Sequence, residues 1–327
     1  MRGKLGRKPL LLALFLALLF LFPVVYDNGY VLSVLVLANI YTVYVAAWDM
    51  VSGYTGQENF GFALFIGSGA YFIGFMTQYV CPVSPWWGIP IGGLVAAIIG
   101  LIIGVPCLRL KGPYLALATM AAATIADRLV IIFSKYTGGE DGIYGVQFLT
   151  NSPITDYYAS LIFMIGSVGI LYYIGQSYIG LLLKAIRQDE NSAEASGVNT
   201  TFYKVAAFVV SAFFGGMAGA FNGHYLGYVG PDAVLASSLS LNIIIMAIVG
   251  GTGTIINAAF GAFVLAIVGE YLKMFGEYHL LIYTALLIGV LLFMPKGVFT
   301  TLFEGFSPKD QAGLVAKGGS SHEHSGS

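Results

Sequence analysis

Long apolar runs are the feature that most limits what this chain can fold into. One of them, LLLALFLALLFLFPVV, occupies residues 10–25. About 20 consecutive apolar residues cross the hydrocarbon core of a bilayer. Only 9% of the residues are charged, whereas a soluble domain has about 25%. So few charges cannot cover a surface that faces water, and the sequence therefore predicts an all-α polytopic membrane protein.

Ten transmembrane helices are predicted from apolar runs that Gly, Pro, Asn or charged residues separate. The predicted spans are 10–26, 30–50, 60–80, 88–108, 113–133, 157–177, 202–222, 237–250, 255–273 and 279–294. No small-residue cleavage site follows the first run, so we interpret it as a retained signal-anchor. The predicted domains are a basic N-terminus at 1–9, a transmembrane domain at 10–300 and a Gly/Ser-rich, disordered tail at 301–327.

The distribution of Lys and Arg predicts the orientation of the chain. With a cytoplasmic N-terminus, 12 of the 15 basic residues fall on the cytoplasmic side. This asymmetry obeys the positive-inside rule, so both the N-terminus and the tail are expected in the cytoplasm. The net charge of -1 implies no general attraction to nucleic acid.

Motifs for catalysis and nucleotide binding are absent from the sequence. The Gly-rich stretch GGTGT at 250–254 has no Lys with which to neutralise a phosphate. Neither H-E-x-x-H nor G-x-S-x-G occurs, and the tail histidines His322 and His324 have no partner ligands for a metal. An intramembrane enzyme therefore has no support, and a transport protein that does not itself hydrolyse ATP is favoured.

Ionisable residues within the spans keep an ion-coupled secondary transporter open as an alternative. Asp49 and Glu270 lie near span ends, where their side chains can reach the headgroups. Arg128 can extend toward the interface. Asp127 and Arg128 are thus either an interfacial pair or a relay for ions.

One densely charged segment interrupts this apolar chain. KAIRQDENSAEASG, residues 184–197, has five charged side chains and falls in a predicted cytoplasmic loop. Gly180 and Gly197 flank a run that is compatible with a helix, and its small alanines would let a second protein approach closely. A partner ATPase could contact such an element, whereas the alternative is a solvated helix face.

Residues 185–220, AIRQDENSAEASGVNTTFYKVAAFVVSAFFGGMAGA, resemble the signature region of the branched-chain amino acid ABC-importer permeases. The family pattern is approximately A-I-R-x-[DE]-E-x-A-A-E-x-x-G-[IV]-N, with Ser192 here where Ala is usual. Four further stretches resemble the family in order along the chain: 53–71, 137–146, 250–265 and 275–298. Asn59 to Phe62 depart from its usual Ser-Leu-Gly-His. The match is closest to the permease type that has the longer N-terminus.

The resemblance implies an ABC importer permease of the many-span type in a bacterial inner membrane. Such a chain is a non-catalytic subunit that pairs with a sister permease, as a heterodimer. Two ABC ATPase subunits bind ATP and Mg, and an extracytoplasmic binding protein delivers the substrate, so no cofactor is expected in this chain. Leu, Ile and Val are the family's default substrates, and urea or short amides are the alternative.

Three sets of candidate site residues follow. The resemblance implies a coupling helix in the loop 178–200, with contacts to the ATPase from Arg187, Asp189, Glu190, Ala193, Glu194 and Gly197. A break between two apolar runs predicts a segment of the substrate pathway, whose backbone N–H groups suit a carboxylate. The alternative is a close-packed cytoplasmic turn. The residues of this break are Gly53, Thr55, Gly56, Gln57, Asn59 and Gly61. An external loop predicts contacts with the binding protein, and the alternative is a set of turns without that role. The residues of this loop are Gly138, Gly139, Glu140, Asp141 and Gly142.

Overall fold

The computed structural model of the chain describes residues 7–25 and 28–293. The predictions for residues 1–6 and for the tail at 301–327 lie outside the described residues. The elements are α1 (Arg7–Val25), α2 (Gly29–Thr55), α3 (Ala63–Tyr79), α4 (Pro85–Cys107), α5 (Pro113–Ile132), α6 (Ser134–Thr137), β1 (Ile143–Tyr144), α7 (Pro153–Gln176), α8 (Tyr178–Gln188), α9 (Glu190–Ala195), α10 (Thr200–Leu226), β2 (Tyr228–Val229), α11 (Pro231–Val234), α12 (Ser237–Gly250), α13 (Ile255–Leu272), a 3-10 helix (Lys273–Tyr278) and α14 (His279–Phe293).

Each of the ten predicted spans coincides with one of these helices, and the all-α polytopic fold is confirmed. Among the described residues, seven helical segments are long and apolar enough to cross a membrane: Gly29–Thr55, Pro85–Cys107, Pro113–Ile132, Pro153–Gln176, Thr200–Leu226, Pro231–Gly250 and Ile255–Gly276. Two of the other predicted spans are shorter, since α3 has 17 residues and α14 has 15. The total of ten crossings stays a prediction.

Helix α2 is the central helix, and its most apolar window is 78% buried by the rest of the protein. It packs against α7, α10 and α13. Asn39 Nδ2 donates to Ser160 Oγ of α7 at 3.0 Å, and Ser211 Oγ of α10 donates to Ala47 O at 2.6 Å. The hydrocarbon core offers no water to such groups, so these partners have to come from neighbouring helices.

Small residues at four-residue spacing bring α4 and α10 into close contact. The two facing rows are Gly92, Ala96, Gly100 and Gly104 on α4, and Ala212, Gly216 and Ala220 on α10; Phe208, one turn before Ala212, packs on Gly104. A Cβ added at Gly216 would lie 2.1 Å from Ala96 Cβ, and one added at Gly100 would lie 2.6 Å from Ala212 Cβ. This is the small-xxx-small packing that membrane helices use in place of hydrophobic association.

The connections gather at two ends of the bundle. At one end, α8 and α9 follow α7, and Arg187 of α8 contacts the C-terminal part of α2. At the other end, β1 and β2 pair antiparallel, with Ile143 opposite Val229. This pairing joins the 138–146 loop to the connection between α10 and α11. The predicted coupling residues and the predicted binding-protein contacts therefore lie at opposite ends.

Candidate functional site

The predicted coupling segment consists of two helices that meet at Asp189. Its backbone there is extended, with φ -158° and ψ 107°, and its side chain caps α9. Asp189 Oδ1 accepts from Asn191 N at 3.0 Å, and Asp189 Oδ2 accepts from Ser192 Oγ at 2.6 Å. An acidic N-cap satisfies amide groups that have no partner within the helix. Asp189 therefore fixes the angle between α8 and α9.

Glu190 connects α9 to two other parts of the protein. Its Oε1 lies 2.6 Å from Nζ of Lys204, at the start of α10, and its Oε2 lies 3.9 Å from Nζ of Lys111, between α4 and α5. Lys204 is only 4% exposed, so its ammonium group depends on Glu190 for a counter-charge. Of the other candidate residues, Ala193 is buried, whereas Glu194 is exposed and its Oε1 accepts from Thr200 Oγ1 at 2.5 Å.

Arg187 connects α8 to the core. Its Nη1 donates a hydrogen bond to Gly53 O on α2. Asp49, one turn earlier on α2, is fully buried and accepts at Oδ1 from Gly253 N at 2.7 Å. A Cβ at Gly253 would lie 2.6 Å from Arg187 Nη1, and one at Gly53 would lie 2.6 Å from Gly253 N. We call Asp49, Gly53, Arg187 and Gly253 the junction cluster; it joins α8, α2 and the connection between α12 and α13.

The junction cluster corrects one expectation from the sequence. Asp49 was expected to reach the headgroups, but the structure buries it, because Gly253 and Gly53 leave room for its carboxylate between α2 and the 250–254 turn. Its other oxygen, Oδ2, has no hydrogen-bond partner among the described residues. Neither this acid nor Gly253 was among the predicted site residues. Two features of the sequence could have indicated this contact. They are a single acidic residue on an apolar helix and a Gly-rich turn that has no phosphate-binding Lys.

Gly56, Gln57, Asn59 and Gly61 lie at the predicted break, between α2 and α3, whereas Gly53 and Thr55 lie in the last turn of α2. Gly56 ends α2 in the left-handed conformation, with φ 72°. Beyond it, Asn59 O accepts from Trp48 Nε1 at 2.7 Å, and Asn59 Oδ1 accepts from Gly61 N at 2.9 Å. A Cβ at Gly61 would lie 2.0 Å from Thr119 O. These contacts fit the close-packed turn that the sequence kept as the alternative, and a role in the pathway stays a prediction.

The predicted binding-protein contacts form a tight turn. Gly138, Gly139 and Gly142 have φ values of 76°, 63° and 71°, which only glycine adopts without strain. Glu140 and Asp141 are exposed at its tip. The turn presents two carboxylates to solvent, as a contact with basic residues requires; that role stays a prediction.

The acidic and basic residues of the ion-coupled alternative form local pairs. Arg128 Nε lies 3.7 Å from Asp127 Oδ2, and the Arg128 side chain is 68% exposed. Glu270 Oε2 lies 2.6 Å from Lys273 Nζ. Neither pair connects to the other or to the junction cluster through contacts in the described part of the chain. The Asp127–Arg128 arrangement resembles the interfacial pair more than a relay.

The cap at Asp189 gives a pH-dependent prediction. Hydrogen bonds from the Ser192 hydroxyl and amide, and then from the Asn191 amide, hold the pKa of Asp189 below its usual range. A lowered pKa means that the cap stabilises α9 fully above about pH 4, the unfolded value, and that this contribution is lost as pH falls through the folded pKa. Hydrogen exchange of residues 190–196, corrected for intrinsic rates, should therefore speed up below about pH 4.

Two variants check this assignment. Asp189→Ser keeps a capping oxygen that does not titrate, so its protection should fall less with decreasing pH than that of the wild type. Asp189→Ala removes the cap and should lose protection at neutral pH. Equal protection of all three proteins at neutral pH would contradict the capping role.

The comparisons with known proteins agree on one group of transport proteins. The model of the family described as "Branched-chain amino acid transport system / permease component" matches residues 30–291. The high-affinity branched-chain amino acid transport system permease protein LivM of Escherichia coli K12 is 26% identical over 90% of this chain and 76% of its own length. LivH of Salmonella typhimurium LT2 is 25% identical over 80% of this chain and 92% of its own.

A more distant relative carries a different description. The ribose import permease protein RbsC of Haemophilus influenzae Rd is 25% identical over 61% of this chain and 65% of its own length. No solved structure matches the chain.

Proposed function

This chain belongs to the branched-chain amino acid transport system permease family, and from that premise we propose that it is the membrane-spanning, non-catalytic subunit of an ATP-driven importer of Leu, Ile and Val. A sister permease would complete the pathway, two ATPase subunits would bind ATP and Mg, and an extracytoplasmic protein would deliver the substrate. Both termini would lie in the cytoplasm of a bacterial cell.

The observation that carries this proposal is the way in which α8 and α9 are attached. Arg187 joins the segment to the junction cluster, and Glu190 joins it to the buried Lys204. The opposite side of the segment, which includes Asn191, Ala195 and Gly197, is exposed. A polar segment that is rigidly held on one side and free on the other can receive a force from a second protein and transmit it to α2 and α10.

The function is tested by purification from the native membrane followed by reconstitution. Recovery of a soluble ATPase and a second permease of similar size, together with leucine uptake that requires ATP, would support the importer. Urea in excess should not compete with leucine. The proposal fails if the chain is recovered alone and moves leucine without ATP, and loss of that uptake with an ionophore would identify the ion-coupled alternative.

Gly197 allows the ATPase contact to be tested directly. It has φ 85°, and an added Cβ meets no atom within 4 Å, so a larger side chain would project from the exposed side of the segment. We expect Gly197→Trp to lower the recovery of the ATPase with the permease by at least about tenfold, which corresponds to about 1.4 kcal/mol of binding free energy. Membrane insertion should be unchanged.

Gly145→Trp is the matched control. Gly145 has φ 79°, and its added Cβ also meets nothing within 4 Å, but it lies in the loop at the opposite end of the bundle. The backbone strain is therefore similar in the two variants. Equal recovery of the ATPase with both would show that the exposed side of α8 and α9 is not its contact.

A further inference from the structure

An open cavity of about 450 Å³ lies between the helices, and some of its lining residues, such as Ser238 and Lys273, are exposed. Its walls come from α2, α10, α11, α12, α13 and α14. Tyr44 lines it on α2, five residues before Asp49, which places the cavity about 8 Å along the helix from the junction cluster at 1.5 Å per residue. The volume falls in the range of roughly 300–1,000 Å³ that is usual for small-molecule sites. Much of the wall is apolar, with Ile40, Leu239 and Met246 among its residues.

Two polar groups of the wall have no partner in the described part of the protein. Asn222, on α10, is only 8% exposed, and its Oδ1 accepts no hydrogen bond. Tyr283, on α14, has a buried hydroxyl that is also unpaired. Both residues line the cavity. Burying such groups without a partner costs free energy, and a ligand that supplied hydrogen-bond donors would offset this cost.

The N-terminus of α12 supplies hydrogen-bond donors, in contrast to the acceptor oxygen of Asn222. The segment before α12 packs beside Gly67 of α3, where an added Cβ would lie 2.3 Å from Leu235 Cδ2. Gly67 lies about 6 Å from the start of α3 at Ala63 and about 18 Å from its end at Tyr79, so α12 begins beside α3 and not beyond either of its ends. No described side chain caps α12, and Ser238 of its first turn lines the cavity. Free amides and the positive end of a helix attract a carboxylate.

Acidic side chains complete the wall. Glu270 and Asp232 line the same cavity, and Glu270 is held by Lys273 at 2.6 Å. Their carboxylates and the Asn222 oxygen are acceptors of the kind that an ammonium group requires, and Lys273 lines the cavity as well. The wall therefore combines acceptors, an anion-binding helix end and an apolar surface.

We propose that this cavity binds a small zwitterion with an apolar side chain, with Asn222, Tyr283 and Glu270 toward its ammonium group and the start of α12 toward its carboxylate. The inference rests on the proposed function and extends it, because it assigns part of the substrate selectivity to this permease. Urea has neither the charges nor the apolar group that such a wall recognises.

Protection of a single thiol from alkylation tests the site without measuring transport. The complex of permeases and ATPase is prepared without the binding protein, and both native cysteines are removed by Cys81→Ser and Cys107→Ser. Ser238→Cys then reports on the cavity, and Ser134→Cys, exposed outside it, is the control. We expect leucine to slow alkylation by N-ethylmaleimide at position 238 and to leave position 134 unchanged.

Analogues and variants identify the contacts. Leucinamide lacks the carboxylate, 4-methylpentanoate lacks the ammonium group, and each should protect more weakly than leucine, as should urea. Asn222→Leu keeps the approximate shape of the side chain and should raise the leucine concentration for half-protection by about tenfold, as expected for the loss of one hydrogen bond to a charged group. Tyr283→Phe should act in the same direction. Tyr71→Phe is the matched control, since its hydroxyl is also buried and unpaired but does not line the cavity.

The outcomes separate this inference from the proposed function. ATP-driven leucine uptake by a complex in which leucine does not protect position 238 would overturn the site and leave the function standing. Equal effects of Tyr283→Phe and Tyr71→Phe, together with no effect of Asn222→Leu, would also overturn it. Protection by leucine in a complex that imports no leucine would support the site and reject the function.

Discussion

Glu190→Lys is expected to abolish ATP-driven uptake and to lower the thermal stability of the purified protein, while the chain still inserts into the membrane. The substitution leaves the ammonium of Lys204 buried without a counter-charge and brings a third positive charge near Lys111. Removing one partner of a buried ion pair typically costs about 3–5 kcal/mol. The attachment of α9 to α10 should therefore be lost.

A charge exchange separates this attachment from direct contact with a partner. The double variant Glu190→Lys with Lys204→Glu restores an ion pair at the same place and should recover most of the lost thermal stability, measured by thermal unfolding in detergent. Recovery of uptake as well would indicate that Glu190 acts by holding α9. Stability without uptake would indicate that its charge also meets the ATPase. A single variant as stable as the wild type would contradict the role of the pair.

Gly216→Leu is expected to prevent folding of the helix bundle. A Cβ at this position would lie 2.1 Å from Ala96 Cβ and 3.0 Å from Gly92 O. The second of these atoms belongs to the backbone, so α4 and α10 would have to separate. The loss of stability should exceed the roughly 1–3 kcal/mol that is typical of overpacking, because a membrane interface of small residues depends on close approach.

Gly166→Leu is the control for this change. Gly166 lies within α7, and an added Cβ there meets no atom within 4 Å. It therefore tests the effect of a leucine on a spanning helix without a clash. We expect monodisperse gel filtration from Gly166→Leu and aggregation from Gly216→Leu. Monodisperse protein from both would mean that the contact between α4 and α10 is not needed for folding.

The helices could be predicted from the sequence because their main determinant is local. An apolar run must be long enough to cross the bilayer. Helix α5 begins at Pro113, where its span was predicted to begin, whereas α4 and α7 begin at Pro85 and Pro153, three and four residues before the predicted starts. The break after α2 was predicted for the same reason, from Gly56 and the amides that follow it. The charged segment at 184–197 was recognisable because it contrasts with an apolar chain.

The contacts of the candidate site could not be predicted in this way. Glu190 was a candidate for an ATPase contact, yet the nearest charge is Lys204, which the fold buries beside it. The partner of Asp49 is the backbone amide of Gly253, and a backbone donor cannot be predicted from a pattern of side chains. The cavity depends on where α12 begins relative to α3. Each of these facts is a property of packing between segments that are distant in sequence.

The central position of α2 has a consequence for how the protein is made. Three of its polar partners are 121, 164 and 204 residues later in the chain, at Ser160, Ser211 and Gly253. At a synthesis rate of roughly 5–20 residues per second, the last of them emerges about 10–40 s after Asp49. Insertion of α2 and its burial are therefore separate events during biogenesis. A ribosome that stops before residue 253 would release a chain whose innermost helix still lacks the partner of its only carboxylate.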